Sequence, residues 1–287
     1  MIVCYSVNDK YYDLFEVSLK SLLDFNKINK IYLLNSNLSK KYIQRAKLIC
    51  ESNCDIEFIH IDADMFRDIE MNYFGVETFY RLLLPELIND DKVWYIDVDT
   101  IILGSIEEPF YQGFSHVVAA VPKPFQEKLE IRKNKLKMSK DSQYFNAGVL
   151  ILNLKKIRDS NFFKEVLEWI KININIIDMP DQDALNAMLN HDYHKLDVRF
   201  NVTTEIAKNI KNPKIIHFTG EFKPNLFLYQ HPYKRIFMKY FTYNKESFNI
   251  IVNLRYLNSR VKEYVFRIGS KIPFLKKIYR KFKRKEV

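Results

Sequence analysis

Two carboxylates one residue apart close an apolar run. Val93-Trp94-Tyr95-Ile96 leads into Asp97-Val98-Asp99. Residues two apart on a strand point to the same side. If the strand runs on through this stretch, both carboxylates project together at its carboxyl end. Such a pair repels itself, and a divalent cation is the natural remedy. The plain alternative is a solvated strand end, and Asp-x-Asp alone leaves both readings open. Four further segments offer partners for such a site. Glu77-Thr-Phe-Tyr-Arg81 precedes a leucine run and Pro85, and Asn146-Ala147-Gly148 opens an apolar stretch that reaches Leu154. Pro180-Asp181-Gln182-Asp183 reads as a helix start, with proline at the first position and acids at the positive helix end. Ile215-Ile216-His217 runs into Thr219, Gly220 and Lys223. A histidine on so apolar a strand is more often a satisfied core residue than a ligand. Asn146-Ala-Gly reads equally as a turn before a buried strand.

These residues need elements to carry them. Apolar, β-branched runs at Ile2–Val7, Lys30–Leu34, Ile56–Ile61, Lys92–Ile96, Val117–Val121, Val149–Leu152 and Lys214–Phe218 predict strands. Helical periodicity marks Tyr12–Phe25, with Leu14, Phe15, Val17, Ser18, Leu22 and Leu23 along one side. Ser39–Cys50, opened by a capping serine, and Phe79–Ile88 are two more helices. Strand–helix alternation predicts an α/β fold with a mixed, mostly parallel sheet flanked by helices. Ligands in such sheets bind at the carboxyl ends of strands.

Composition narrows the function. The 287 residues, 47% hydrophobic, suit a large α/β domain or a domain with an appendage. There is no Gly-x-Gly-x-x-Gly after the first strand, no P-loop, and only six glycines, so a glycine cradle for nucleotide phosphates is not expected. The net charge is +10, but residues 260–287 hold eleven Lys/Arg against two Asp/Glu, a net of +9. Residues 1–259 are therefore close to neutral, which argues against a nucleic-acid-binding surface. Three cysteines provide no disulfide framework. Cys50 and Cys54, spaced i, i+4, read as small apolar residues on a helix face and not as a metal clip, since no second Cys or His pair accompanies them. No run of eighteen apolar residues predicts a membrane span. The first residues read as a strand and not as a signal peptide, so a cytosolic start is expected.

Taken together and in order, the five chemistry-bearing blocks resemble glycosyltransferase family 8, which includes bacterial lipopolysaccharide galactosyl- and glucosyltransferases and glycogenin. The resemblance covers Ile2 to about Pro232. It implies a GT-A type fold, and the change of composition from about Tyr240 sets the expected bounds of that domain at residues 1–241, with a basic segment at 242–287. It implies Asp97, Asp99 and His217 as ligands of Mn2+, with Mg2+ as substitute, and a UDP-sugar as donor, galactose and glucose both remaining open. Two carboxylates and an imidazole suit such a cation. By the same resemblance Val98 lies in the donor site, Lys223 binds the diphosphate with Gly220 in its loop, and Arg81 touches the donor sugar. Asn146, Ala147 and Gly148 line the sugar pocket, Asp181 and Gln182 flank the reacting carbon, and Tyr11 stacks on uracil. Where the family usually has an aspartate and an asparagine, this chain has Asn8 and Lys10; a one-residue slip would bring in Asp9 instead of Asn8.

The implied reaction is hexosyl transfer with retention of anomeric configuration. Retention through a covalent intermediate needs a carboxylate nucleophile, and the family position is Gln182, a neutral amide. Front-face attack by the acceptor hydroxyl is expected instead. The acceptor expected is a glycan, lipopolysaccharide or another cell-surface glycan. A protein acceptor or self-glycosylation, as in glycogenin, and a non-catalytic sugar-nucleotide-binding role are the alternatives. Phe274, Leu275, Ile278 and Phe282 fall at helical spacing among lysines and arginines. That pattern predicts a basic amphipathic segment, broken at Gly269 and Pro273, lying on an anionic membrane surface at its cytoplasmic face.

Overall fold

The computed structural model describes residues 1–67, 69, 75–242 and 255–261. In chain order the strands are β1 (Ile2–Ser6), β2 (Lys30–Asn35), β3 (Asp55–His60), β4 (Lys92–Ile96), β5 (Thr100–Ile102), β6 (Val118–Pro122), β7 (Phe145–Asn153), β8 (His194–Lys195), β9 (Val202–Thr203) and β10 (Ile215–His217). Seven of them form one sheet in the order β3-β2-β1-β4-β7-β6-β8, and the other three form a second in the order β5-β10-β9. β3, β2, β1 and β4 pair in parallel. β7 runs antiparallel between β4 and β6, and β8 returns parallel to β6. The mixed, mostly parallel α/β sheet implied by the strand–helix alternation is therefore present.

Parallel strands covered on both faces read as unbroken apolar runs, and β1 and β2 are buried almost throughout. Helices Tyr12–Phe25 and Lys40–Cys50 cover one face through Phe15, Leu19, Leu22, Tyr42 and Ala46. Helices Phe162–Ile172 and Pro180–Leu189 cover the other through Phe163, Val166, Ile170, Leu185 and Leu189. Helix Tyr12–Phe25 buries two sides, not the single stripe its periodicity suggests, because it lies between the sheets. Its Leu14 and Val17 belong to a third core with Ile101, Ile216, Phe218 and Phe237. Two hydroxyls on this helix lock the small sheet in place. Ser18 Oγ lies 2.7 Å from Thr100 Oγ1, and Ser21 Oγ accepts the Ile102 N–H at 3.0 Å. That anchoring fixes where β10, and so His217, stands relative to β4.

The strand order turns back at β1: β2 follows on one side, and β4 lies on the other. The carboxyl ends of β1 and β4 thus flank a crevice at a topological switch point, the place where open α/β sheets bind ligands. Asn8 follows β1 and Asp97 follows β4.

Five local expectations change. The strand does not continue through Asp97-Val98-Asp99. β4 ends at Ile96, the Asp97 N–H donates to Gly148 O as the last rung toward β7, and Thr100 Oγ1 donates to Asp97 O at 3.0 Å. That bend carries the chain from one sheet to the other. Asn146-Ala147-Gly148 is not a turn but the first half of β7, extending beyond the end of β4. Ser39 stands at the helix N-cap position without a side-chain cap, and its own N–H donates to Asp9 Oδ1 at 2.8 Å. Residues Tyr80–Leu83 form a 3-10 turn that passes into a short α-helix, Leu84–Leu87, where Pro85 sits in the first turn and lacks an N–H. Cys50 ends its helix buried, while Cys54 lies past the helix end, just before β3.

Phe237 and Phe241 pack into the third core. Residues 255–261 are helical, and Tyr256 joins the same core, its hydroxyl accepting the Gln230 N–H at 3.0 Å. The amphipathic run from Phe274 to Phe282, and most of the 242–287 segment, lies outside the described residues. Among the described residues no helix is long and apolar enough to cross a membrane.

Candidate active site

Three side chains from two elements converge at the mouth of the crevice. Asp97 and Asp99 come from the bend after β4, and His217 ends β10, opposite Thr100 of β5. His217 Nε2 lies 3.1 Å from Asp99 Oδ1 and 3.7 Å from Asp97 Oδ2. One ligand atom from each residue falls within 4.8 Å of the others, and among the described residues no other group of His, Cys, Asp or Glu gathers in this way. His217 is buried but does not face a sealed apolar interior, since its ring points at two carboxylates.

Gly148 explains how they fit. A Cβ built there would lie 2.3 Å from Asp97 Oδ2, 2.3 Å from His217 Cε1 and 2.9 Å from Asp97 Cγ. The β7 backbone is pressed against the ligand set, and only glycine leaves room. Two hard oxygen donors and one imidazole around a shared point, with the backbone behind them held free of side chains, suit a divalent cation such as Mn2+.

Two cations brace the acids. Arg81 is 4% exposed. Its Nη2 reaches Asp97 Oδ1 at 3.2 Å, its Nε reaches Asp181 Oδ2 at 3.1 Å, and Nη1 donates to Ala147 O. The guanidinium lies 4.0 Å from the centre of the Tyr95 ring. Burial works against its charge, but Asp181, Tyr95 and Asp97 outweigh that and raise its pKa. Lys223 Nζ lies 2.5 Å from Asp99 Oδ2 and donates to Phe218 O at 2.9 Å. Burial alone would favour protonated Asp99, yet the Lys223 ammonium and the His217 ring hold its carboxyl below the ordinary carboxylate range. For Asp181 burial wins over the Arg81 charge and the Thr78 hydroxyl, and its pKa is raised.

Asp181 and Gln182 occupy the first turn of helix Pro180–Leu189, as the Pro-Asp-Gln-Asp spacing predicts. Thr78 Oγ1 donates to Asp181 Oδ1 at 2.5 Å. Gln182 Oε1 accepts Asn146 Nδ2 at 2.9 Å and the Ala147 N–H at 3.1 Å. Asn146, Ala147 and Gly148 therefore bridge the helix start to the carboxylates. Val98, between the two acids, packs against the core under β4.

At the rim, Asn8 Nδ2 donates to Glu77 Oε1 at 2.7 Å, and Asn8 Oδ1 caps the Tyr11 N–H at 3.2 Å. Asn8 thus turns toward the Glu77–Arg81 segment, whereas Asp9 turns away to Ser39. Tyr11 is partly exposed, with the Lys10 ammonium 5.0 Å from its ring centre. Gly220 holds φ +100, a left-handed backbone that favours glycine, in the turn between His217 and Lys223.

Sequence reasoning missed Asn201 and Thr78. Asn201 is 2% exposed and stands between His217 and Asn146. It belongs to no periodic run or spaced motif, so only proximity in space reveals it. Thr78 lies inside the Glu77–Arg81 block, where its neighbours drew notice first.

The sequence profile described as glycosyl transferase family 8 matches residues 2–226. General stress protein A of Bacillus subtilis (strain 168) is 28% identical over 255 residues, covering 80% of this chain and 87% of that protein. Lipopolysaccharide 1,2-glucosyltransferase of Escherichia coli (strain K12) is 28% identical over 244 residues, covering 77% and 72%. Among solved structures, the galactosyltransferase LgtC in complex with donor and acceptor sugar analogues superposes with a TM-score of 0.76 at 25% identity, over 86% of this chain and 98% of that one.

Proposed function

The chain belongs to glycosyl transferase family 8, is therefore a glycosyltransferase, and we propose that it transfers galactose or glucose from a UDP-sugar to a glycan acceptor, with retention and dependence on a divalent cation. The observation that carries this reading is the convergence of Asp97, Asp99 and His217 on one point against the bare backbone of Gly148.

Asp97, Asp99 and His217 would hold Mn2+, which when bound supplies Lewis-acid stabilisation of the departing diphosphate. The remaining work falls to the chain's own residues. Lys223, beside Asp99, offers an ammonium to the negative charge that develops on UDP. Arg81 keeps Asp97 and Asp181 apart and oriented, since it touches both. Asp181 orients sugar hydroxyls from the first turn of its helix. Gln182 is a neutral amide whose oxygen already accepts two hydrogen bonds, which disfavours nucleophilic attack by it. That supports front-face attack by the acceptor hydroxyl on the side of the leaving group. Asn8 and Tyr11, which lie in the turn that follows β1, would hold the uridine.

The E. coli relative is named for lipopolysaccharide, which favours a cell-surface glycan as acceptor. The +9 charge of residues 260–287 supports a peripheral position on an anionic membrane surface, where a lipid-linked glycan would be met.

A donor screen tests the reading. UDP release is measured from several UDP-sugars with Mn2+, with Mg2+ and with chelator, for the wild type and Asp97→Ala. One UDP-hexose should be consumed, with loss of turnover in chelator and in the variant. Near-normal turnover of Asp97→Ala in chelator would refute metal dependence.

A further inference from the structure

We infer that Asn201 is a positioning residue that holds the proton of His217 on Nδ1, and that a buried relay of side chains anchored on Asp183 orients Asn201 for this task. The consequence for cation binding rests on the metal reading above; the placement of the proton does not.

The relay is continuous. His217 Nδ1 lies 3.1 Å from Asn201 Oδ1. Asn201 Nδ2 donates to Asn146 Oδ1 at 3.1 Å, and Asn146 Nδ2 donates to Gln182 Oε1 at 2.9 Å. Gln182 Nε2 donates to the Tyr144 hydroxyl at 2.9 Å, and that hydroxyl reaches Asp183 Oδ1 at 2.5 Å. All six side chains are buried, from Asp183 at 0% exposure to Asn146 at 8%.

Its direction follows from donors and acceptors that have no choice. Asp183 Oδ2 already receives the N–H groups of Asp178 and Met179, each at 2.8 Å, and Arg132 Nη1 at 2.5 Å. A carboxylate paired with a guanidinium offers only acceptors, so Tyr144 spends its proton on Asp183 and its lone pair on Gln182 Nε2. The backbone confirms each amide in turn. The Ala147 N–H donates to Gln182 Oε1 at 3.1 Å, and the Gly148 N–H donates to Asn146 Oδ1 at 3.1 Å. Backbone N–H groups can only donate, so flipping either amide would set donor against donor. With Asn146 Oδ1 fixed as an acceptor, Asn201 must point its NH2 there and its oxygen at His217.

The imidazole answers with N–H at Nδ1. Its Nε2 is then the nitrogen that turns to Asp99 Oδ1 and Asp97 Oδ2, donating to Asp99 when it carries a proton and offering its lone pair to a cation when it does not. The opposite tautomer would face the Nδ1 lone pair against Asn201 Oδ1, two acceptors in a buried space. A donor on the far ring nitrogen is the usual means by which a metal-ligating histidine is oriented, and its loss typically costs ~10–100-fold in metal affinity. The relay also ties the cation site to Gln182, so the residue beside the reacting carbon and the imidazole share one rigid frame.

The test reads the proton directly. Imidazole nitrogen NMR of the metal-free wild type should show His217 Nδ1 protonated and slowly exchanging with water. A bare Nδ1 in the wild type overturns the inference without any variant, and so decides the matter even if a variant fails to fold. In Asn201→Leu the slow exchange should vanish, and calorimetry should show Mn2+ affinity falling ~10–100-fold. Asn201→Asp keeps an acceptor against Nδ1 and should restore the protected proton, while its lost donor to Asn146 Oδ1 leaves the affinity only partly recovered. A folded Asn201→Leu with unchanged Nδ1 protection and unchanged Mn2+ affinity refutes the assignment. Absence of Mn2+ binding by the wild type refutes the metal reading instead, while the Nδ1 signal still judges Asn201.

Discussion

Replacing Gly148 by alanine adds one methyl group at the point where β7 meets the ligand set. Its Cβ would stand 2.3 Å from both Asp97 Oδ2 and His217 Cε1, whereas nonbonded heavy atoms settle at roughly 3.5 Å. Something must therefore move by about 1 Å. His217 has little freedom, being 3% exposed and held by Asn201. The β7 backbone cannot retreat without losing the rung from the Asp97 N–H to Gly148 O. The Asp97 carboxylate yields first, pulling on Arg81. The backbone conformation itself is no obstacle, since Gly148 is not among the positive-φ glycines. Crowding of this kind costs ~1–3 kcal/mol of stability, and a 1 Å displacement at a reacting centre costs ~100-fold in rate, equivalent to ~2.7 kcal/mol of transition-state stabilisation. Gly148→Ala should remain folded, melt a few degrees lower, and lose ~100-fold in kcat/KM together with much of its Mn2+ affinity. Gly113→Ala is the control, because a Cβ there meets nothing within 4 Å. Calorimetric Mn2+ titration and initial rates on both proteins decide the matter. A folded Gly148→Ala with wild-type Mn2+ affinity and turnover would show that the three ligands are not held against β7 as described.

Two other perturbations probe separate parts of the molecule. Arg81→Ala leaves Asp181 buried without its guanidinium partner and should cost ~3–5 kcal/mol in chemical denaturation; in folded material, sugar transfer should fall more than UDP binding, and equal losses would contradict the place assigned to Arg81. A chain ending after residue 261 keeps Tyr256 in its core but removes most of the basic segment. It should stay in the supernatant with anionic vesicles that sediment the full-length protein, and equal sedimentation would refute membrane attachment through residues 262–287.

The helix start at Pro180 and the apolar runs that become β1 and β4 were legible because proline placement and apolar runs are local signals. Helix Tyr12–Phe25 was bounded correctly for the same reason. Its two-sided burial was not, since periodicity cannot report a second sheet lying on the far side. The Asp-x-Asp pair was found, but the supposed reason for its convergence was different. A continuing strand would have aligned the carboxylates, whereas a bend held by Gly148 O and Thr100 Oγ1 turns them toward His217.

Residue types and spacing singled out Asp97 and Asp99 as a cation-binding pair, and the resemblance of five ordered blocks to a known family supplied Arg81, Asn146, Gln182 and His217. Folding supplied their mutual arrangement. Asn201, Tyr144 and Asp183 acquire meaning solely as links between His217 and the helix at Pro180. The requirement for glycine at 148 follows from a distance across the crevice. Both depend on contacts between residues tens of positions apart, and no local pattern in a sequence records the direction of a hydrogen bond or the space left for a methyl group.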